Sequence, residues 1–314
     1  MSEYQYYEFV AVDRPLTRGE IAELRELSTR ADISSTRFVN HYNFGDFGGS
    51  PDRLMERYFD AHLYLANWGT HILMFRVPAE ALDIDVARQY CGAGYQTEVR
   101  VHGDHVILSL RSEDESGDSY DGPGALSSFV SARAELISGD RRLLYLAWLF
   151  DVESLWDEEL DMDEVEPPVP PGLDSLSASL EAIVEFLRMD QVLLDVAARG
   201  DETSRRTVGQ LLAAAAEVRS ADERAEAEQA RQEHVARMES LAGRENALWE
   251  RVSVLIAAKA QREYDEAVDV LADLHELARW RGDVEGFAQR VGGLRAVHRR
   301  LPSLIRRFDA AGLP

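Results

Sequence analysis

The residues predict a two-part chain. An α+β head, a mixed sheet with helices, precedes an all-α region with a long coiled-coil-like helical segment. Three observations carry that expectation. Up to residue 150, short aromatic and β-branched runs alternate with helix-start signals. Residues 151–166 then hold nine carboxylates and no base, and prolines follow at 167, 168, 170 and 171. Beyond them, apolar residues recur at three-four spacing almost to the end. The implied boundaries are a head over 1–150, an acidic proline-rich linker over 151–172 and a helical domain over 173–314. Proline-rich segments favour extended backbone and dense like charge repels itself, so the linker reads as a stiff, exposed spacer.

The first strand is YQYYEFVAV, Tyr4 to Val12. Thr17 with Glu20 three residues on has capping-box spacing, and Ile21, Leu24 and Leu27 give that helix its apolar face. TRFVNHYNF, Thr36 to Phe44, alternates as a second strand. Ser50-Pro51-Asp52 opens another helix, with Leu54, Tyr58, Ala61 and Leu65 on one face and an end near 67–69. THILMFRV, 70–77, suits a buried strand, and a short helix is expected over 79–90. Strands at 98–101 and 105–110 flank His102-Gly103-Asp104 as a hairpin, and 126–150 reads as helix with a break near Gly139. The opening βαβ order resembles half of a ferredoxin-like unit, and helices are expected on one face of the sheet.

In the second part, helices are expected over 173–187 and 191–198. A long one starts at Ser204, with Val208, Leu211, Ala215 and Val218 on its seam. Asp222 breaks that seam, residues 226–234 are polar, and Val235, Met238, Ala242, Trp249, Val252 and Ile256 resume it. A helical hairpin follows around Gly282, pairing Leu271, Leu274 and Leu277 with Phe287, Val291 and Leu294.

Composition narrows function. The net charge of −23 and pI near 4.7 oppose general affinity for nucleic acid or anionic membrane. A single cysteine, Cys91, excludes an intramolecular disulfide and a multi-cysteine zinc site. The longest apolar run, Leu143 to Phe150, is eight residues, and MSEYQYYEF lacks a basic-then-apolar leader, so a cytoplasmic protein is expected.

The densest polar cluster of the head is His41, Asn43, Asp46, Asp60, His62, Asn67 and His71. Histidine and aspartate suit acid-base work or a divalent metal, so His41, Asp46, Asp60 and His62 are the catalytic candidates. Their spacing matches no metal motif, and no metal or cofactor is expected. Gly45-Asp-Phe-Gly-Gly-Ser-Pro lacks the lysine of a phosphate loop, and its DFG has no companion kinase motifs, so it reads as a turn and helix cap. Trp68, Trp249 and Trp280 are expected to pack, as is Trp148. Trp156, Glu158, Glu159 and Asp161 form one partner-binding candidate, an acidic segment with an aromatic anchor. Arg295, Arg299, Arg306 and Arg307 form another, in a stretch where 279–307 holds eight arginines and two acids.

The segments YQYYEFVAVDRPLT and FVNHYNFGDFGGSPDRLMERYFDAHLYLANWGT resemble a bacterial family of uncharacterised proteins. The last fifty residues, from YDEAVDVLADLHELARWRGD to RRFDAAGL, are similar to the helical tails of bacterial proteins with a SWIM zinc finger, although the finger itself is missing. The tail resemblance implies a shared helical docking module, not zinc or DNA binding. The sequence therefore predicts a non-enzymatic adaptor or accessory subunit of a bacterial cytoplasmic complex. Protein partners are expected, with homo-oligomers through the helical region and nucleic acid only through the arginine tail. The alternatives are an enzyme with its site in the head, and an acidic decoy for nucleic-acid-handling proteins built on the carboxylates at 113–121 and 151–166.

Overall fold

The computed structural model describes residues 4–43, 45, 47–91, 96–113, 124–154 and 161–314. The chain divides into two compact units, Met1–Arg219 and Ser220–Pro314.

The first unit is built on a seven-stranded sheet: β1 (Gln5–Val10), β2 (Asp32–Ile33), β3 (Arg37–Tyr42), β4 (Ala61–Ala66), β5 (Thr70–Pro78), β6 (Thr97–His102) and β7 (His105–Glu113). Their order is β2-β3-β1-β4-β5-β7-β6, and every pairing is antiparallel. The sheet is thus antiparallel where a mixed one was expected. The opening strands form no parallel βαβ unit, because β1 pairs antiparallel with both β3 and β4.

Side chains alternate across the sheet. Tyr6, Leu63, Leu65, Leu73, Phe75 and Leu108 join one buried cluster, and Tyr7, Phe9, Phe38, Tyr64, Met74 and Ile107 another. The second cluster is closed by α1 (Arg18–Leu27) and α2 (Pro51–Arg57) through Leu24, Leu54 and Met55. The first is closed by helices that follow the sheet, after a short α3 (Ile84–Ala87): α4 (Val130–Ile137), α5 (Arg142–Ser154), α6 (Ala178–Leu187), α7 (Gln191–Ala197) and the start of α8 (Val208–Gly243). Helices therefore cover both faces, not one. Phe9, Phe38 and Phe59 are fully buried, each stabilising the fold by roughly 1.5–3 kcal/mol.

Local signals place most boundaries. Thr17 accepts from Glu20 N–H, and the Glu20 carboxylate accepts from Thr17 N–H, completing the expected capping box. Ser50 caps α2 with Pro51 in its first turn. That helix stops at Arg57, and Ala61–Ala66 is a strand, not the helix expected through 65. All six residues of β4 are buried. A strand covered on both faces shows no polar-apolar alternation, so its apolar residues also fitted a helical period. The helix expected over 79–90 shrinks to α3, capped by Asp83. The break near Gly139 is real: Gly139 has φ 92°, a left-handed geometry that glycine adopts without a Cβ clash.

The acidic proline-rich segment departs from the exposed spacer. Glu166, Pro167, Val169 and Pro170 are buried. Glu166 N–H donates to Arg206 O (2.9 Å), Val208 N–H to Glu164 O (2.9 Å) and the Tyr90 hydroxyl to Pro168 O (2.8 Å). The Glu166 carboxylate accepts from the Tyr145 hydroxyl (2.5 Å) and from Arg206 Nη2 (2.7 Å) and Nε (2.8 Å). A carboxylate so fully satisfied can leave water, and it takes the neighbouring prolines with it. The first unit therefore runs through this segment to Arg219.

The second unit contains the end of α8, α9 (Glu245–Ala257), α10 (Gln261–Arg281), α11 (Val284–Val297) and α12 (Pro302–Ala310). The polar residues 226–234 do not interrupt α8, which ends at Gly243. Its stretch Ser220–His234 is exposed throughout. Leu271, Leu274, Phe287 and Val291 meet in one core as expected, with Leu294 against it. Leu277 packs instead with Met238 and Leu241. Gly282, at φ 76°, lets the chain turn between α10 and α11.

Candidate interaction site

The three catalytic candidates among the described residues, His41, Asp60 and His62, do not form one site. Asp46 lies outside the described residues. His41 is exposed, opposite Tyr6 in the register of β3, whereas His62 lies opposite Phe9 in that of β4. Tyr6 and Phe9 belong to opposite faces of the sheet, so the two imidazoles do too. Asn67 ties the end of β4 to the residue before β1 by accepting from Tyr4 N–H (2.8 Å), and His71 is buried beside Phe186.

Asp60 and His62 are structural. Asp60 sits just before β4, not on a helix. Its carboxylate accepts from the N–H groups of Val12 (2.7 Å) and Asp13 (3.0 Å) and from Arg76 Nη2 (2.7 Å). Burial raises its pKa, but the Asp13 amide, the Arg76 guanidinium and the Val12 amide outweigh that and hold it below the usual carboxylate range. Arg133 of α4 completes the network, donating to Arg76 O (2.6 Å) and to both carboxylate oxygens of Asp13 (2.9 and 2.5 Å). Every strong acceptor is occupied by a partner of this chain. His62 is fully buried and stacked on Phe9 at 3.9 Å. Its Nδ1 lies 2.9 Å from Glu8 O and so carries the proton, leaving Nε2 without a partner among the described residues. Burial pushes its pKa down to about 4, which keeps the ring neutral. Cys91 is buried, and burial pushes its thiol up to about 12, so it is no nucleophile near neutral pH. Among the described residues no group of three or more His, Cys, Asp or Glu is arranged to hold a metal ion, and no helix is long and apolar enough to cross a membrane.

The partner-binding candidates also divide. Trp156, Glu158 and Glu159 lie outside the described residues. Asp161 is exposed and accepts from Asp163 N–H (3.0 Å). Arg295 is committed within its own unit, to Asp309 (2.7 Å), Pro314 O (2.8 Å) and Leu313 O (2.8 Å). Arg307 is likewise bound to Asp265 (2.5 Å) and to the Ser303 hydroxyl (2.5 Å). Arg299 and Arg306 remain exposed. Trp249 packs as expected under Arg290, whose guanidinium lies 4.2 Å from the ring centroid, whereas Trp68 and Trp280 are more than 40 % exposed.

One site escaped the sequence reading. A groove of about 540 Å³ runs along α6 and α7. Its floor is apolar, from Leu173, Leu176, Val184, Met189 and Leu194, and its rim carries the exposed carboxylates Asp174, Glu181, Glu185 and Asp195 together with Arg188 and Gln191. Helix caps build it. Ser177 starts α6 by accepting from Leu180 N–H, and Asp190 starts α7 by accepting from Val192 and Leu193 N–H. Between them Arg188 takes left-handed geometry, φ 53° and ψ 41°, and Met189 N–H closes on Val184 O (3.1 Å). A non-glycine residue there costs about 1–2 kcal/mol, which the corner tolerates to fold α7 back beside α6. The signal in the sequence was the recurrence of Glu181 and Glu185 around Val184 in LEAIVEFLRMD, which reads equally as an ordinary amphipathic helix. Comparison with family models, curated proteins and solved structures found no match to this chain.

Proposed function

We propose that the chain is a non-enzymatic interaction protein, an adaptor or accessory subunit, and that the α6–α7 groove receives a basic amphipathic segment of a partner. The groove carries this reading. An apolar floor whose rim holds four carboxylates against one arginine suits a segment with leucine-like residues on one side and Lys or Arg on the other. The coiled-coil role of α8 belongs to the same proposal, with Ser220–His234 as the part open to a partner helix. The buried acids and histidine of the first unit support it indirectly, since their hydrogen bonds stay within the fold.

A photo-crosslinking residue at Val184, used in cells of the native host, tests it. The expected product joins the groove to a Lys/Arg-rich apolar segment. The crosslink should fall at least about tenfold when Glu181→Lys and Glu185→Lys reverse the rim, because each lost charge pair at a docking surface weakens binding by around 1 kcal/mol. A crosslink indifferent to that reversal, or none at all, overturns the reading.

A further inference from the structure

Basic charge is concentrated in one stretch of the second unit. From Gly286 to Phe308 the sequence holds six arginines and no carboxylate, the longest acid-free stretch of the chain. Arg290 is held by Trp249 and Glu245, Arg295 by Asp309, and Arg307 by Asp265. Arg299, Arg300 and Arg306 are exposed, and no carboxylate among the described residues pairs with them. Arg299 and Arg300 lie in the turn between α11 and α12, just after Val297. At 76 % Val297 is the most exposed large apolar side chain among the described residues. The core of its own unit does not use it, since Val291, Leu304 and Phe308 supply these two helices' fully buried contacts. The α11–α12 corner thus presents an uncovered apolar side chain beside unpaired cations.

We propose that the chain self-associates, the α11–α12 corner of one copy docking in the α6–α7 groove of another. The inference rests on the groove reading above and names its occupant. Val297 covers the half-buried part of the floor, Leu176 and Val184, while Arg299 and Arg300 face the rim. Charge selects this pairing. The groove belongs to the unit with 40 acids to 19 bases, and the corner to the unit with 17 to 15. Groove against groove would set four carboxylates against four, and like charges brought together at an interface are penalised. Corner against corner would oppose the unpaired arginines. Only corner against groove matches a surplus of cations to a surplus of acids. Groove and corner are different patches, so the contact is heterologous.

Sedimentation equilibrium of the full chain tests the contact. The wild type is expected to gain mass with concentration and to lose it as salt rises. Glu181→Lys with Glu185→Lys should weaken self-association at least about tenfold, as should Arg299→Glu with Arg300→Glu, since each reverses two charges on one side of the contact. All four positions are exposed, so both variants should keep the wild-type circular dichroism. Mixing the two variants should restore association, because each altered surface then faces its opposite charge. A wild type that stays monomeric at all concentrations overturns the proposal. So does a reversal of either side without effect, or a mixture of folded variants that fails to associate. A photo-crosslinking residue at Val184 separates this inference from the reading beneath it. In the purified chain it should join the groove to residues 286–308 of a second copy. A crosslink to a different protein in host cells, with the purified chain monomeric, overturns self-docking alone, and no crosslink in either setting overturns both.

Discussion

The two units handle charge in opposite ways. Acids outnumber bases 40 to 19 in Met1–Arg219, but only 17 to 15 in Ser220–Pro314. The more acidic unit is the one that has ion pairs in its core as well as at its surface. Asp60 and Arg76 are 1 % and 8 % exposed, Arg133 is 3 % exposed, and Glu166 is wholly covered beside Arg206. In the helical unit the pairs Arg237–Asp273, Arg281–Glu245, Arg295–Asp309 and Arg307–Asp265 all lie at the surface. The difference teaches what each fold requires. The sheet unit must bring residues far apart in sequence into one place, and a buried charge network penalises any other arrangement. Asp13, Asp60, Arg76 and Arg133 tie two loops, strand β5 and helix α4 into one such network. The helical unit packs its helices around an apolar core of Trp249, Leu271, Phe287 and Phe308, with its ion pairs at the surface.

That contrast is breakable by mutation. The largest effect is expected from Asp60→Ala, which leaves Arg76 in the core without its carboxylate and orphans the amides of Val12 and Asp13. A loss of about 3–5 kcal/mol in urea unfolding is expected, as for other broken buried pairs. A loss below 1 kcal/mol would erase the distinction between the units. A smaller effect, specific to pH, comes from His62. Its folded pKa of about 4 lies below the ordinary 6.5, so the unfolded chain binds the extra proton first as pH falls. Its contribution is complete above pH 6.5, declines as pH drops toward 4, and amounts to about 3 kcal/mol over that window. Urea midpoints measured across it should show the slope, and His62→Phe should flatten it. The smallest effect is expected in the helical unit. Arg281→Ala, which breaks the surface pair with Glu245, should change stability by no more than about 1 kcal/mol, and by less at high salt.

Features with a local cause were legible in the sequence. The Thr17–Glu20 box, the Ser50-Pro51 helix start, the hairpin at Gly103 and the left-handed turns at Gly139 and Gly282 depend on a few adjacent residues, so a short window contains their whole explanation. The helical character of the second unit was legible for the same reason. The burial of an acidic segment was not, because Glu166 leaves water only when Tyr145 and Arg206, 21 and 40 residues away, close around it. Nor was β4, whose two buried faces erased the alternation that marks a strand. The catalytic expectation failed on the same ground: His41, Asp60 and His62 lie on segments the sheet brings side by side, yet the strand register sends the two histidines to opposite faces and hands Asp60 to the arginines of β5 and α4. The groove on α6 and α7 needed the fold-back at Arg188 before its apolar floor and acidic rim existed as one surface. Short-range chemistry was written along the chain, and long-range pairing of charges and of sheet faces was decided only when the chain closed on itself. The free energy of those contacts belongs to residue pairs that no local window contains.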